Sequence, residues 1–235
     1  MGQAYFITGT GTDIGKTIIT SAIYLSLQTL GKSVTIFKPF QTGINVENHT
    51  YPDISWFEQE LGVKNPGFYT LEPETSPHLA IKLTGSPIDE KKAVERVREL
   101  EGLYDIVLVE GAGGLAVPLI ERGDDFYMTK DFIKDCEMPV LFVSTCGLGA
   151  IHQVVTAQSY ARTHDVTVKA IAYNHYRPEN LIHRDNIQTI EKLTGLKRLA
   201  CLPTLPDVRK DLRTQILDLL GDQGYIQQLK EVFHA

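Results

Sequence analysis

The sequence predicts an α/β fold, a single domain with a mainly parallel sheet flanked by helices. Three observations carry this expectation. Short apolar runs rich in Val and Ile alternate along the chain with segments of helical periodicity. A glycine-rich stretch, TGTGTDIGKT at residues 8–17, joins the first apolar run to the first helical pattern. No repeat, low-complexity tract or linker divides the 235 residues, so one domain is expected over 1–235.

The elements follow in order. Residues 5–8 form the first strand, and 16–30 continue into a helix whose apolar positions recur every three or four residues. Residues 34–38 (VTIFK) read as the second strand, followed by a helix at 54–61. Residues 65–87 carry Pro66, Pro73, Pro77 and Pro87 and read as a long irregular loop, packed through Phe68 and Tyr69. A helix at 90–101 precedes the strand DIVLV at 105–109. The pattern repeats as a helix at 129–135, a strand at 140–145, a helix at 150–164 and a strand at 168–173. A helix at 184–194 and a weaker strand at 198–202 complete the sheet, and 211–233 supply one or two helices at the edge.

Composition excludes several function classes. A net charge of −6 leaves no general basic footprint, so neither nucleic acid nor an anionic membrane is an expected partner. No run approaches the ~20 apolar residues that span a bilayer. Met1-Gly2-Gln3-Ala4 lacks the charged start of a signal peptide, and Cys136, Cys146 and Cys201 are odd in number and form no CxxC. The expected location is cytoplasmic.

Two phosphate motifs compete for residues 8–17. A dinucleotide loop needs G-x-G-x-x-G and an acid after the second strand, but position 14 is Ile and that strand ends at Lys38. A Walker A loop needs G-x-x-x-x-G-K-[ST]; Gly15-Lys16-Thr17 fits its end, and Gly9 lies one residue early. The stretch is a P-loop lengthened by one residue, and the fold class becomes P-loop NTPase-like. Backbone amides over Asp13, Ile14, Gly15, Lys16, Thr17 and Ile18 at the helix N-terminus are expected to cradle the phosphates of ATP. Lys16 reaches the β- and γ-phosphates, and the Thr17 hydroxyl ligates Mg2+.

Ligands in such sheets gather beyond the strands' carboxyl ends. The segments there are 9–17, 39–43, 110–114, 146–152, 174–175 and 203–206, nearly all rich in Gly, Pro or polar residues.

The chain resembles the dethiobiotin synthetase family. FITGTGTDIGKT, KPFQTG at 38–43, YTLEPETSPHLA at 69–80, LVEGAGG at 108–114 and the Asn174 region run in family order. VEGAGG alone is shared with amidotransferase-type ATPases, whereas its combination with KPFQTG and TSPH is specific. The resemblance implies ATP- and Mg2+-dependent carboxylation and ring closure of 7,8-diaminononanoate with CO2, in a homodimer.

That chemistry requires cations around a carbamate and a γ-phosphate. Lys16 and Lys38, both at strand ends on one crevice, are the natural pair, and Lys38 is expected to stabilise the carbamate and the transferred phosphoryl group. Thr17, Asp53 and Glu110 are the candidate Mg2+ ligands. Gly111, Ala112 and Gly113 let the backbone approach Glu110's surroundings. Asp53 fits an N-cap for the helix at 54–61 equally well. Thr12 and Thr42 offer hydroxyls to the carbamate and amine region. Gly149 and Ile151, in CGLGAI before a helix, offer amides to the substrate carboxylate, which the resemblance implies acts across a dimer interface. The resemblance assigns Asn174 to the purine, with Pro203, Thr204 and Leu205 as walls; His175 stands where some members carry an acid. The alternative is a switch-type P-loop ATPase acting through a protein partner; its signature lysine would stand at position 11, which is Gly.

Overall fold

A computed structural model describes residues 2–234; Met1 and Ala235, the ends of the expected domain and the start of the signal-peptide reading, lie outside the described residues. The chain runs β1 (Gln3–Gly9), α1 (Lys16–Thr29), β2 (Val34–Thr42), α2 (Pro52–Leu61), β3 (Gly67–Leu71) and α3 (Pro77–Thr84). It continues through α4 (Glu90–Glu101), β4 (Ile106–Glu110), β5 (Pro118–Arg122), β6 (Asp125–Met128), α5 (Thr129–Asp135) and β7 (Val140–Thr145). The last elements are α6 (Ala150–Thr163), β8 (Val168–Asn174), α7 (Leu181–Thr194), β9 (Lys197–Cys201), α8 (Val208–Gly221) and α9 (Gln223–Phe233).

Seven strands form one sheet in the order β3-β2-β4-β1-β7-β8-β9, with every neighbouring pair parallel. β5 and β6 make a separate antiparallel hairpin. The sheet is covered on both faces, which is why its strands read as continuous apolar runs. Along β1 the two-residue period sends Ala4 and Phe6 into one layer and Tyr5 and Ile7 into the other. The first layer holds Val97 of α4, Phe132 of α5, Val154 of α6 and Ile190 of α7. The second holds Ile23 of α1, Phe57 of α2, Ile216 of α8 and Leu229 of α9.

Two sequence expectations change and a third is narrowed. The segment 65–87 is not a bare loop: it contains the edge strand β3 and the helix α3. β3 alternates half-buried and exposed positions over only five residues, too short and too polar to stand out among prolines. β2 continues past Lys38 to Thr42, so Lys38 lies inside a strand and not beyond one. Pro39 is tolerated there because pairing with β4 ends at Phe37, after which β2 pairs only with β3. The C-terminal segment is two helices, with Asp222 capping the second through Gly224 N.

β1 is central, with β4 and β7 on either side, so the loop after β1 opens where the chain's crossovers diverge. Gly111, directly after β4, closes this region tightly: its N–H donates to Ile7 O at 3.0 Å. A Cβ added there would stand 2.6 Å from Cζ and 2.8 Å from Cε1 of the buried Phe6 ring. Gly111→Ala is expected to cost ~1–3 kcal/mol of stability by overpacking, read as a lower urea midpoint; an unchanged midpoint contradicts this packing.

Candidate active site

The phosphate loop leaves β1 at Gly9 and enters α1 at Gly15, which caps the helix with φ +80°. Only glycine fits: a Cβ there would lie 2.1 Å from Asn174 Nδ2. That amide nitrogen donates to Ile14 O at 3.1 Å, fastening the loop to the end of β8. The loop and β2 border a cleft of about 730 Å³. Thr12, Asp13, Ile14, Gly15, Lys16, Thr17, Lys38, Thr42 and Asp53 line it, with Gly111, Ala112 and Gly113, which follow β4 between β1 and β2.

At its floor is a charge cluster. The Lys38 ammonium donates to Asp53 Oδ2 at 2.6 Å and to Glu110 Oε1 at 2.7 Å. Lys38 is 3% exposed, Glu110 0% and Asp53 28%. The Thr17 hydroxyl lies 2.9 Å from Asp53 Oδ1 and 3.2 Å from Glu110 Oε1. Thr20 donates to Glu110 Oε2 at 2.6 Å. Burial alone lowers the proton affinity of Lys38, but the Glu110 and Asp53 carboxylates outweigh it and hold the ammonium above its ordinary range. Burial likewise pushes Asp53 up, and Lys38 outweighs it, so Asp53 sits below the usual carboxylate range. Lys16 moves the other way: burial, then the neighbouring Lys38 charge, lowers it.

The expected N-cap role of Asp53 is corrected. Tyr51 occupies the cap of α2 and Pro52 follows it, so Asp53 sits in the first turn with its carboxylate on Lys38 and Thr17. Two carboxylates and a hydroxyl meeting within hydrogen-bond distance form an all-oxygen donor set, which suits a hard dication that keeps several waters.

The remaining predicted residues fall into three places. Ile18 does not border the cleft; its side chain packs against the apolar layer beneath α1. Asn174, His175 and Thr204 form a chain at the ends of β8 and β9, with His175 Nε2 3.4 Å from Asn174 Nδ2 and His175 Nδ1 3.1 Å from Thr204 Oγ1. Beside it, Pro203 is half-buried and Leu205 packs on the second layer. Gly149 and Ile151 lie at the start of α6, outside the cleft of this copy.

Sequence reasoning missed Thr20, Gln41, Thr75 and Ser76. Thr20 follows Lys16 by one helical turn, a periodicity that places both on one face. Gln41, Thr75 and Ser76 line the cleft. His78 of the TSPH stretch stays outside the lining, bonded through Nδ1 to Ser76 Oγ at 3.0 Å and set edge-on to Phe126.

A family model described as an AAA domain matches residues 3–211. A Geobacillus kaustophilus protein named ATP-dependent dethiobiotin synthetase BioD is 44% identical over 99% of this chain and 98% of its own length. Proteins of that name from Staphylococcus epidermidis and Clostridium novyi are 39% and 32% identical, over 80% and 88% of this chain and 85% and 90% of their own lengths. Among solved structures, the MinC:MinD cell division complex of Aquifex aeolicus matches with a TM-score of 0.63 at 17% identity, covering 100% of this chain and 97% of that one. MinD of Pyrococcus horikoshii, complexed with Mg-ADP, matches at 0.62 and 17%, covering 99% and 96%. At such identities the likeness concerns the fold alone.

The charge cluster has a pH signature. The stability contributed by Asp53 is fully present above its unfolded value, ordinarily 3.8, and is lost as pH falls through the lower folded value. The gap in urea stability between the wild type and Asp53→Asn is therefore expected to shrink as pH is lowered from 6 toward 3. A constant gap contradicts the pairing.

Proposed function

The chain belongs to the ATP-dependent dethiobiotin synthetase family, and from that premise we propose a specific reaction and a role for each site residue. The enzyme is a ligase of biotin biosynthesis with ATP as co-substrate. The reaction is Mg2+-dependent carboxylation and ring closure of 7,8-diaminononanoate with CO2, giving dethiobiotin, ADP and phosphate. The observation that supports it most is the meeting of Lys16 and Lys38 on one cleft, bordered by the hydroxyls of Thr12 and Thr42.

A free alkylamine with pKa ~10.4 is only about 0.1% neutral at pH 7.4, a cost of roughly 4 kcal/mol before it attacks CO2. Two neighbouring ammonium groups lower that cost by disfavouring a third positive charge. The resulting carbamate is an anion, and the same cations then favour it. Its oxygen attacks the γ-phosphorus of ATP and ADP leaves, so Lys16 and Lys38 neutralise charge where it accumulates. The second amine attacks the carbonyl carbon, the bond from that carbon to the phosphate oxygen breaks, and the cyclic urea forms as phosphate leaves.

The loop amides from Asp13 to Ile18 bind the triphosphate, and Thr12 and Thr42 orient the carbamate. Thr17, Asp53 and Glu110 hold Mg2+, which supplies positive charge to the phosphate oxygens when bound. Gly111, Ala112 and Gly113, after β4, keep the cleft low enough there for the nucleotide. Asn174, His175, Pro203, Thr204 and Leu205 receive the base. Gly149 and Ile151 serve the cleft of a second copy in a homodimer, a reading supported by their place outside their own cleft and by Leu148 between Gly147 and Gly149, 89% exposed. Among the described residues no helix is long and apolar enough to cross a membrane, and a cytoplasmic location fits a soluble triphosphate and diamine as substrates.

The test is phosphate release from ATP with Mg2+ and bicarbonate, with and without the diamine, and mass analysis of the product. Release that depends on the diamine, with dethiobiotin formed, is expected. Slow hydrolysis indifferent to the diamine would overturn the reading in favour of a partner-driven ATPase. Lys38→Ala is expected to lower turnover at least ~1,000-fold, the scale of one lost transition-state charge contact, while nucleotide binding stays measurable by calorimetry. Turnover within tenfold of wild type would remove Lys38 from the mechanism.

A further inference from the structure

The chain's one tryptophan, Trp56, stands on α2 one turn after Asp53. Its indole N–H donates to Ser21 Oγ at 2.9 Å, and the Ser21 hydroxyl donates to Thr17 O at 2.6 Å. The direction of both bonds is fixed, because an indole N–H only donates and a carbonyl only accepts. One turn away, the Thr17 hydroxyl lies 2.9 Å from Asp53 Oδ1. Two rungs thus join α1 to α2, Thr17 to Asp53 and Ser21 to Trp56, each pair of positions one helical turn apart on its own helix.

The second rung is the sheltered one. Ser21 is 0% exposed and Trp56 is half-buried against the second layer, so water competes poorly for their bond. Asp53 borders the cleft, where an incoming ligand competes for its oxygens. Among the described residues α2 fully buries only Phe57, and the Arg209–Glu60 pair that ties its far end to α8 is exposed on the arginine side. Apolar contact is non-directional and lets a short helix slide or roll, whereas a hydrogen bond tolerates little change of distance or angle. Register matters here because Mg2+ demands near-ideal octahedral geometry at about 2.0–2.1 Å, which sets neighbouring ligand oxygens roughly 3 Å apart. Thr17 Oγ1 already stands 2.9 Å from Asp53 Oδ1 and 3.2 Å from Glu110 Oε1.

We propose that Trp56 is a positioning residue: by bonding Ser21 it sets the register of α2 on α1 and so holds Asp53 beside Thr17 for the nucleotide's divalent cation. This rests on the metal role given to Asp53 above. Trp56 does not line the cleft and acts only through the helix it shares with Asp53. Its effect therefore falls on the part of nucleotide binding that depends on the metal. The part carried by the phosphate-loop amides is left alone.

The test is calorimetric binding of the β,γ-imido analogue of ATP, once with Mg2+ and once with EDTA. The proteins compared are the wild type, Trp56→Phe, Ser21→Ala, Asp53→Asn and the double variant Trp56→Phe with Asp53→Asn. The ratio of the two affinities reads the metal's contribution without any turnover. Trp56→Phe keeps an aromatic ring and loses the donor, and Ser21→Ala loses the acceptor. Each is expected to lower that ratio roughly fivefold, the scale of one hydrogen bond, while affinity in EDTA stays within about twofold. In the Asp53→Asn background, Trp56→Phe is expected to lower the ratio no further. An unchanged ratio in either single variant would overturn the proposal, even with a lowered urea midpoint, since a merely structural role moves the midpoint alone. So would a parallel loss of both affinities, or a full effect of Trp56→Phe in the Asp53→Asn background. A wild type whose affinity ignores Mg2+ defeats the metal assignment made above and not the role of Trp56 alone.

Discussion

The site depends on one buried ammonium. Lys38 stands in the interior of β2, and a charge so sealed from water persists only if paired and hydrogen-bonded. Asp53 and Glu110 supply the pairing, at 2.6 and 2.7 Å. Because they come from α2 and β4, the ion cluster ties together elements that meet at the mouth of the sheet. Thr17 and Thr20 extend it to α1, so the helix that carries the phosphate loop is fastened to the same carboxylates. A lysine on the surface could not do this, since its charge would be shared with water.

The cluster also sets the electrostatic character of the cleft. The formal charges of Lys16, Lys38, Asp53 and Glu110 cancel, so the ligand-free protein does not store large unbalanced charge at its floor. The two lysines respond differently to burial: carboxylates secure Lys38, whereas Lys16 is depressed by burial and by Lys38. One cation is thus fixed and the other waits for an anion. The ends of β8 and β9 are joined by hydrogen bonds instead, with Asn174 linking the loop's Ile14 to His175 and Thr204. The charged cluster at the cleft floor and this neutral chain outside the cleft's lining are thus both fastened to the phosphate loop.

Much of this was legible in the sequence because the informative residues lie at strand ends. The lengthened phosphate loop was readable from Gly9, Gly15, Lys16 and Thr17, and the alternation of strands and helices gave the parallel sheet. Lys38 was found for its type but misjudged in place, because proline usually ends a strand and Pro39 does not end this one. Its pairing with Gly67 of the edge strand β3 became clear only with the register. β3 and α3 were hidden by prolines, two of which, Pro66 and Pro77, border these elements and do not break them. The β5–β6 hairpin carries a turn around Gly123 and was missed because it is short and half-exposed. Whether Asp53 capped a helix or faced the cluster could not be decided from spacing, which is alike in both cases. Gln41 was marked by KPFQTG, but its unpaired amide oxygen was not, since an orphaned acceptor exists only relative to its neighbours in space.

The chemistry assigned to the lysines has a consequence in the fate of oxygen atoms. If a carbamate oxygen takes the γ-phosphoryl group and the bond to carbon later breaks, that oxygen ends in the released phosphate. The most direct measurement is therefore one turnover series in 18O-labelled bicarbonate with mass analysis of the phosphate. One labelled oxygen per phosphate, beyond the background exchanged through water, is the predicted result. Unlabelled phosphate formed alongside dethiobiotin would contradict phosphoryl transfer to the carbamate, and with it the part played by Lys16 and Lys38 in neutralising that transfer.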